Sequence, residues 1–129
     1  MASLNRRVML LPKAIILDAN ALLMPFQFKV NIDRELKRLF GETPVFVPSS
    51  VLEELSNIID KDAKAALALA RKYQIVETEL RGDDAVLNVA EERSAAVLTN
   101  DIELIGRLRK ERIPVIRLRS ERYLVVDDY

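Results

Sequence analysis

Short apolar runs alternate with amphipathic stretches along this 129-residue chain, and that alternation restricts the fold more than any other feature. AIILDA (14–19), VFVP (45–48), QIVET (74–78), AAVLTN (95–100) and PVIRL (114–118) read as strands. NIDRELKRLF (31–40), SSVLEELSNIID (49–60), DAKAALALARKY (62–73), DDAVLNVAEERS (83–94) and DIELIGRLRKER (101–112) read as helices. YLVV (123–126) is at most a short tail strand. Repeated strand–helix–strand units impose parallel pairing with helices on both faces. The expectation is an α/β fold with a central parallel sheet of about five strands, in a single domain over 1–129. LLMPFQF (22–28) reads as a post-strand loop, apolar enough to serve as a self-association surface.

The chain has no Cys and no His. Disulfides, thiolate nucleophiles, Ser-His-Asp arrangements and His-ligated metals are therefore excluded. Chemistry must come from carboxylates, Lys, Arg, Tyr, hydroxyls and amides. The N-terminus faintly resembles a signal peptide, but Pro12, Lys13 and Asp18 interrupt its apolar run. No apolar run reaches the roughly 18 residues of a membrane span. A soluble, cytoplasmic protein with no membrane partner is expected.

Formal net charge is zero, but the charge is unevenly spread. Residues 53–103 hold twelve acids against six basic residues. Residues 104–122 hold seven basic residues against Glu111 and Glu121. That asymmetry suits a metal centre beside an anion-binding rim, although solvated helix faces produce it more often.

The positions of particular acids sharpen the reading. Asp18 ends the first apolar run and Asp101 follows VLTN, so both would project at the carboxyl edge of the sheet, where ligands of such sheets bind. Asp101 could equally serve as a helix-start acid. In the helix from Ser49, Val51, Leu52, Leu55, Ile58 and Ile59 form an apolar stripe. Ser50 and Glu53 read as its capping box, and Glu54 lies on the border of the stripe. Asp83 and Asp84 open another helix; one is expected to cap it, leaving the other without a structural task. Carboxylates held together raise one another's pKa and oppose folding, so such a cluster calls for a cation. An all-oxygen ligand set selects magnesium or manganese, and such ions support phosphodiester hydrolysis.

ILDANAL, VPSSVLEEL, DDAVLNVA and VLTNDIEL, in that order, resemble the PIN-domain ribonuclease family over nearly the whole chain. DANALLMPFQFKVNI, RLRKERIPVIRL and ERYLVVDDY make it most similar to the small-subunit ribosomal RNA-processing branch and its archaeal relatives. It is also similar to VapC-type toxins. The resemblance implies a three-layer α/β/α sandwich, a magnesium- or manganese-dependent acidic site, RNA cleavage and homodimers. It assigns catalytic and metal-ligating roles to Asp18, Glu54, Asp84 and Asp101, with neighbouring Asp83 as a further candidate ligand. Asn20, Thr99 and Asn100 would support them.

Together these readings predict an endoribonuclease in which water attacks phosphorus, leaving 5′-phosphate and 3′-hydroxyl ends. RNA would be gripped by Arg107, Arg109, Lys110, Arg112 and Arg119, with Arg34, Lys37 and Arg38 as further candidates. Phe26, Phe28 and Tyr123 are the stacking candidates, each better explained as core or dimer contact. Ribosomal RNA processing with a pre-ribosomal partner is the first expected role. A toxin paired with an antitoxin and a non-catalytic RNA-binding scaffold are the alternatives. A phosphoacceptor module is disfavoured by the missing second Asp and late Lys. An Asp-nucleophile phosphotransferase is disfavoured because Asn20 stands where D-x-D needs its second acid.

Overall fold

The computed structural model describes residues 11–127. Its strands are β1 (Ala14–Leu17), β2 (Val45–Pro48), β3 (Gln74–Val76), β4 (Ala95–Leu98), β5 (Val115–Arg119) and β6 (Tyr123–Asp127). Its helices are α1 (Ala19–Phe28), α2 (Ile32–Phe40), α3 (Ser49–Ser56), α4 (Lys61–Ala70), α5 (Gly82–Arg93) and α6 (Ile102–Lys110).

The strands form one sheet in the order β3-β2-β1-β4-β5-β6, parallel except for β6, which runs antiparallel to β5. The sheet therefore has six strands rather than about five. The tail segment supplies the sixth because Leu124 is fully buried and pairs with Leu118.

Alternation along the central strands splits the core in two. Ile15, Leu17, Ala96 and Leu98 pack on one face, with Ala21, Leu22, Val51, Leu55 and Ala66 from α1, α3 and α4. Ala14, Ile16, Ala95 and Val97 pack on the other, with Val86, Val89, Leu104 and Leu108 from α5 and α6. The period-two geometry of a strand sends successive side chains to opposite faces, which yields three layers.

Connectivity fixes where a ligand site can form. From β1 the chain moves outward through β2 and β3, then returns to the other side of β1 as β4. Strand order thus reverses between β1 and β4, whose Leu17 and Leu98 are aligned. Loops leaving these two strands diverge to opposite sides and leave a crevice at their carboxyl ends.

Three local readings are corrected. Residues 22–28 are not a loop; they belong to α1, capped by Asp18 and ended by Lys29 at φ 56. Its apolar character comes from core burial of Ala19, Ala21, Leu22 and Met24. Pro25 lies inside this helix and, with no single apolar stripe, hides it from periodicity. Helix α3 stops at Ser56, so Ile58 and Ile59 fall outside it and are exposed. The Ser50–Glu53 capping box does not form. Pro48 occupies the N-cap without a side-chain hydrogen bond, placing Ser50 inside the first turn. The Ser49 hydroxyl instead accepts from the Thr78 N–H at 3.0 Å, tying the start of α3 to the loop before α5.

Candidate active site

Asp18 is the first residue beyond β1 and is almost fully buried. Its Oδ1 accepts from the Ala21 N–H at 2.8 Å, which caps α1. Asp101 plays the same part for α6, accepting from the N–H groups of Glu103 at 3.0 Å and Leu104 at 3.3 Å. Each acid therefore has a structural task as well as a place at the crevice. The positive ends of α1 and α6 partly offset the two charges.

Fully buried Thr99 joins them. Its hydroxyl donates to Asp18, and the same oxygen accepts from the Asp101 N–H at 3.0 Å. Asn20 and Asn100 fasten the surrounding loops. Asn20 Oδ1 accepts from the Asn100 N–H at 2.8 Å. The Asn100 side chain accepts from the Leu118 N–H at 2.8 Å and donates to the Leu118 carbonyl at 3.1 Å. That exchange imitates a further rung between the end of β4 and β5.

A pocket of about 60 Å³ opens here, lined by Asp18, Asn20, Val51, Glu54, Gly82, Asp83 and Asp101 among others. That volume holds roughly an ion and one or two waters. Glu54 and Val51 sit one helical turn apart on α3 and form one wall. Gly82, at φ +56, turns the chain into α5 and presents Asp83 to the opposite wall. The left-handed conformation is one that glycine adopts at little cost.

Electrostatics tie the four carboxylates together. Burial pushes Asp18 up to about 7, against hydrogen bonds from Thr99 and Ala21 that favour the anion; Asp101 and Glu54 push it further up. Desolvation raises Glu54, followed by the charges of Asp83 and Asp101. Desolvation also raises Asp83, followed by Asp101, while Arg107 opposes the shift. Such mutual repulsion is what an inserted cation relieves. The oxygen donors suit a hard divalent ion. Among the described residues no three carboxylates already close on a single point. Asp18 and Asp101 each commit an oxygen to a helix cap, and like charges without a counterion keep apart.

The structure separates the two acids that open α5. Asp83 lines the pocket, whereas Asp84 lies outside it, with its Oδ1 2.7 Å from Arg107 Nη2. Neither caps the helix: Arg81 holds the N-cap position, with no side-chain hydrogen bond to the helix. Glu53, released from its expected capping role, pairs with Arg81 at 3.2 Å. Sequence reasoning did not single out Arg81 or Val51 for the site. Ser50, four residues before Glu54, carries a buried hydroxyl without a hydrogen-bond partner.

The basic segment is dispersed. Helix α6 runs away from the acids, so Arg107 reaches back to them while Arg109, Lys110 and Arg112 lie progressively farther off. Arg109 pairs with Asp127. Arg112 lines a cavity with Lys13, Ala95 and Pro114, at the opposite edge of the sheet. Arg119 ends β5 at the same edge as the acids and is exposed. Phe26 and Phe28 sit at the far end of α1 from Asp18; Tyr123 begins β6, two strands beyond β4.

Comparison with known proteins agrees with this architecture. The chain belongs to the PIN-like domain family, whose model matches residues 15–121. It is 32% identical over 124 residues to Ribonuclease VapC4 of Methanocaldococcus jannaschii, covering 87% of this chain and 95% of that protein. It is 28% identical over 122 residues to Ribonuclease VapC9 of Archaeoglobus fulgidus, covering 89% and 90%. Its fold matches the PIN domain endonuclease Utp24 with a TM-score of 0.79 at 23% identity, covering 92% and 93% of the two chains. No helix among the described residues is long and apolar enough to cross a membrane.

Proposed function

We propose that this protein is a divalent-metal-dependent endoribonuclease whose active site is the pocket of Asp18, Glu54, Asp83 and Asp101. One observation carries the reading: four acids from four separate segments line a single small crevice at the reversal of strand order, and one of them is nearly buried. The ribonuclease names of two relatives spanning almost the whole chain support it.

Magnesium or manganese, held by these carboxylates directly or through water, would supply Lewis-acid stabilisation of charge on the phosphoryl oxygens. The protein's own residues set the site's geometry. Thr99 links Asp18 to the backbone of Asp101, and Asn20 and Asn100 hold the β1 and β4 loops at fixed separation. Glu54 projects from a helix, so its longer side chain can adjust to the occupant. Asp84 is a rim residue in this account, engaged with Arg107. RNA phosphates would be met by Arg107 and Arg119, which share the acid edge. Arg109, Lys110 and Arg112 are directed elsewhere.

The physiological role divides along the relatives. Likeness to the ribosomal RNA-processing branch rests on sequence motifs alone; the likeness to the Utp24 PIN domain, at 23% identity, speaks for fold. The two ribonuclease relatives favour the VapC-type role instead. Incubating purified protein with RNA and magnesium, manganese or chelator, followed by end-group analysis, tests the chemistry. Metal-dependent cleavage leaving 5′-phosphates is expected; metal-independent cleavage with cyclic 2′,3′-phosphate ends would refute it. Growth arrest on expression, relieved by Asp18→Asn, would separate the toxin role from RNA maturation.

A further inference from the structure

Both acid doublets at the crevice are divided in the same way. Of Glu53 and Glu54, Glu54 lines the pocket and Glu53 holds Arg81 at 3.2 Å. Of Asp83 and Asp84, Asp83 lines the pocket and Asp84 holds Arg107 at 2.7 Å. Each doublet sends one carboxylate inward and uses the other to station a guanidinium at the rim. Arg81 precedes the pocket-lining pair Gly82–Asp83 and spans to α3, whereas Arg107 reaches from α6 to α5. Both ion pairs are substantially exposed, so each arginine can exchange its carboxylate for another anion at small cost.

We infer that Arg81 and Arg107 form a two-point phosphate clamp that holds an RNA strand on either side of the acid pocket, with Glu53 and Asp84 as their resting partners. The inference rests on the ribonuclease reading and names the residues that would position its substrate. A site made only of carboxylates repels the polyanion it must bind, and flanking cations supply the missing attraction. Arginine suits this task because its planar fork matches phosphate oxygens in pairs. Both stand among acids: Arg81 shares a cavity with Glu53, Glu77 and Glu79, and Arg107 faces Asp84, Asp83 and Glu111.

Fluorescence anisotropy with a labelled oligouridine RNA, titrated against the full chain in excess chelator over a range of salt, tests the clamp. Each of Arg81→Ala and Arg107→Ala is expected to weaken binding several-fold and to lower the log–log salt slope by about 0.7. The effects should add in the double variant. Lys13→Ala, which removes an exposed cation at the opposite edge of the sheet, should leave the slope unchanged. Glu53→Gln and Asp84→Asn should also leave it unchanged, because they remove no cation.

Unchanged slopes in both arginine variants would overturn the clamp, as would an absence of salt-dependent binding by the wild-type chain. If the carboxylate variants reproduced the arginine losses, the pairs would be structural struts, and the clamp would again fail. Binding is read without metal or turnover, so a failed clamp with intact cleavage, or the reverse, can be told apart.

Discussion

Two carboxylates in this molecule are each fastened to a backbone N–H, yet their surroundings push them in opposite directions. Asp18, at the β1–β4 reversal, accepts from Ala21 and is driven up to about 7 by burial, with Asp101 and Glu54 adding to the effect. Glu35, on α2, accepts from the Leu124 N–H at 2.9 Å and is held below its ordinary range, chiefly by the hydrogen bond from Arg38. Arg38 also donates to the Leu124 carbonyl at 2.9 Å, so the pair closes the outer edge of β6 around one residue. Such side-chain cover blunts an edge that would otherwise invite another strand. Glu35 comes with its counterion built in, and it stabilises the fold. Asp18 is surrounded by acids, and in the proposed reading a divalent cation would supply its counterion. Within one fold, the first arrangement serves architecture and the second sets apart a candidate site.

The largest expected separation between the two regions is in activity. Asp18→Asn should lower metal-dependent RNA cleavage by about a hundredfold to a thousandfold, the scale of losing a principal electrostatic contact. Glu35→Gln should leave cleavage nearly intact once stability is allowed for. Single-turnover assays on both variants check this.

The next expected difference is in pH dependence. With Asp18 raised, the folded chain retains a proton that the unfolded chain has already lost between about pH 4 and pH 7. Metal-free stability should therefore fall across that window, by up to about 4 kcal/mol. Glu35 has the opposite sign: its contribution is present above pH 4.5 and is lost as the pH falls through its lowered value. Denaturant melts in chelator over pH 4–8 resolve the two. The loss on raising pH should shrink in Asp18→Asn to the part left by Glu54 and Asp83, and the loss on lowering pH should shrink in Glu35→Gln.

The smallest effect is expected at the β6 edge. Glu35→Ala leaves the Leu124 N–H without its acceptor and should lower the Tm by about 3 to 5 °C. Thermal melts check this, with Lys37→Ala, which breaks an exposed pair with Glu42 at 3.4 Å, as the control, expected within about 1 °C of wild type.

Much of this contrast was legible in the sequence. An acid ending an apolar run has few places to go in a parallel sheet, so Asp18 and Asp101 could be set at one edge from pattern alone. Glu54 followed from the border of the stripe set by Val51 and Ile58, although Ile58 lies beyond the end of α3 and only Val51 shares its wall. The choice between Asp83 and Asp84 was not legible. Adjacent helical residues diverge by about 100°, so the outcome depends on where the helix begins, and Gly82 in a left-handed conformation decides that. Helix α1 was hidden because burial around much of its circumference erases the periodic signal and Pro25 reads as a break. The Ser50–Glu53 motif misled because the helix starts two residues early, with Pro48 rather than Ser50 at the capping position. Arg81 was invisible because its role depends on α3 and the β3–α5 loop meeting in space.

We propose that Asp18, Glu54, Asp83 and Asp101 form one site completed by a divalent cation. Thermal melting at pH 8 of chelator-stripped protein, with and without added manganese, is the decisive experiment. Manganese should raise the Tm of the wild-type chain by several degrees and leave Asp18→Asn almost unmoved, while in chelator that variant should melt slightly above wild type. Equal manganese shifts in the two proteins, or a chelated variant that melts below wild type, would contradict it.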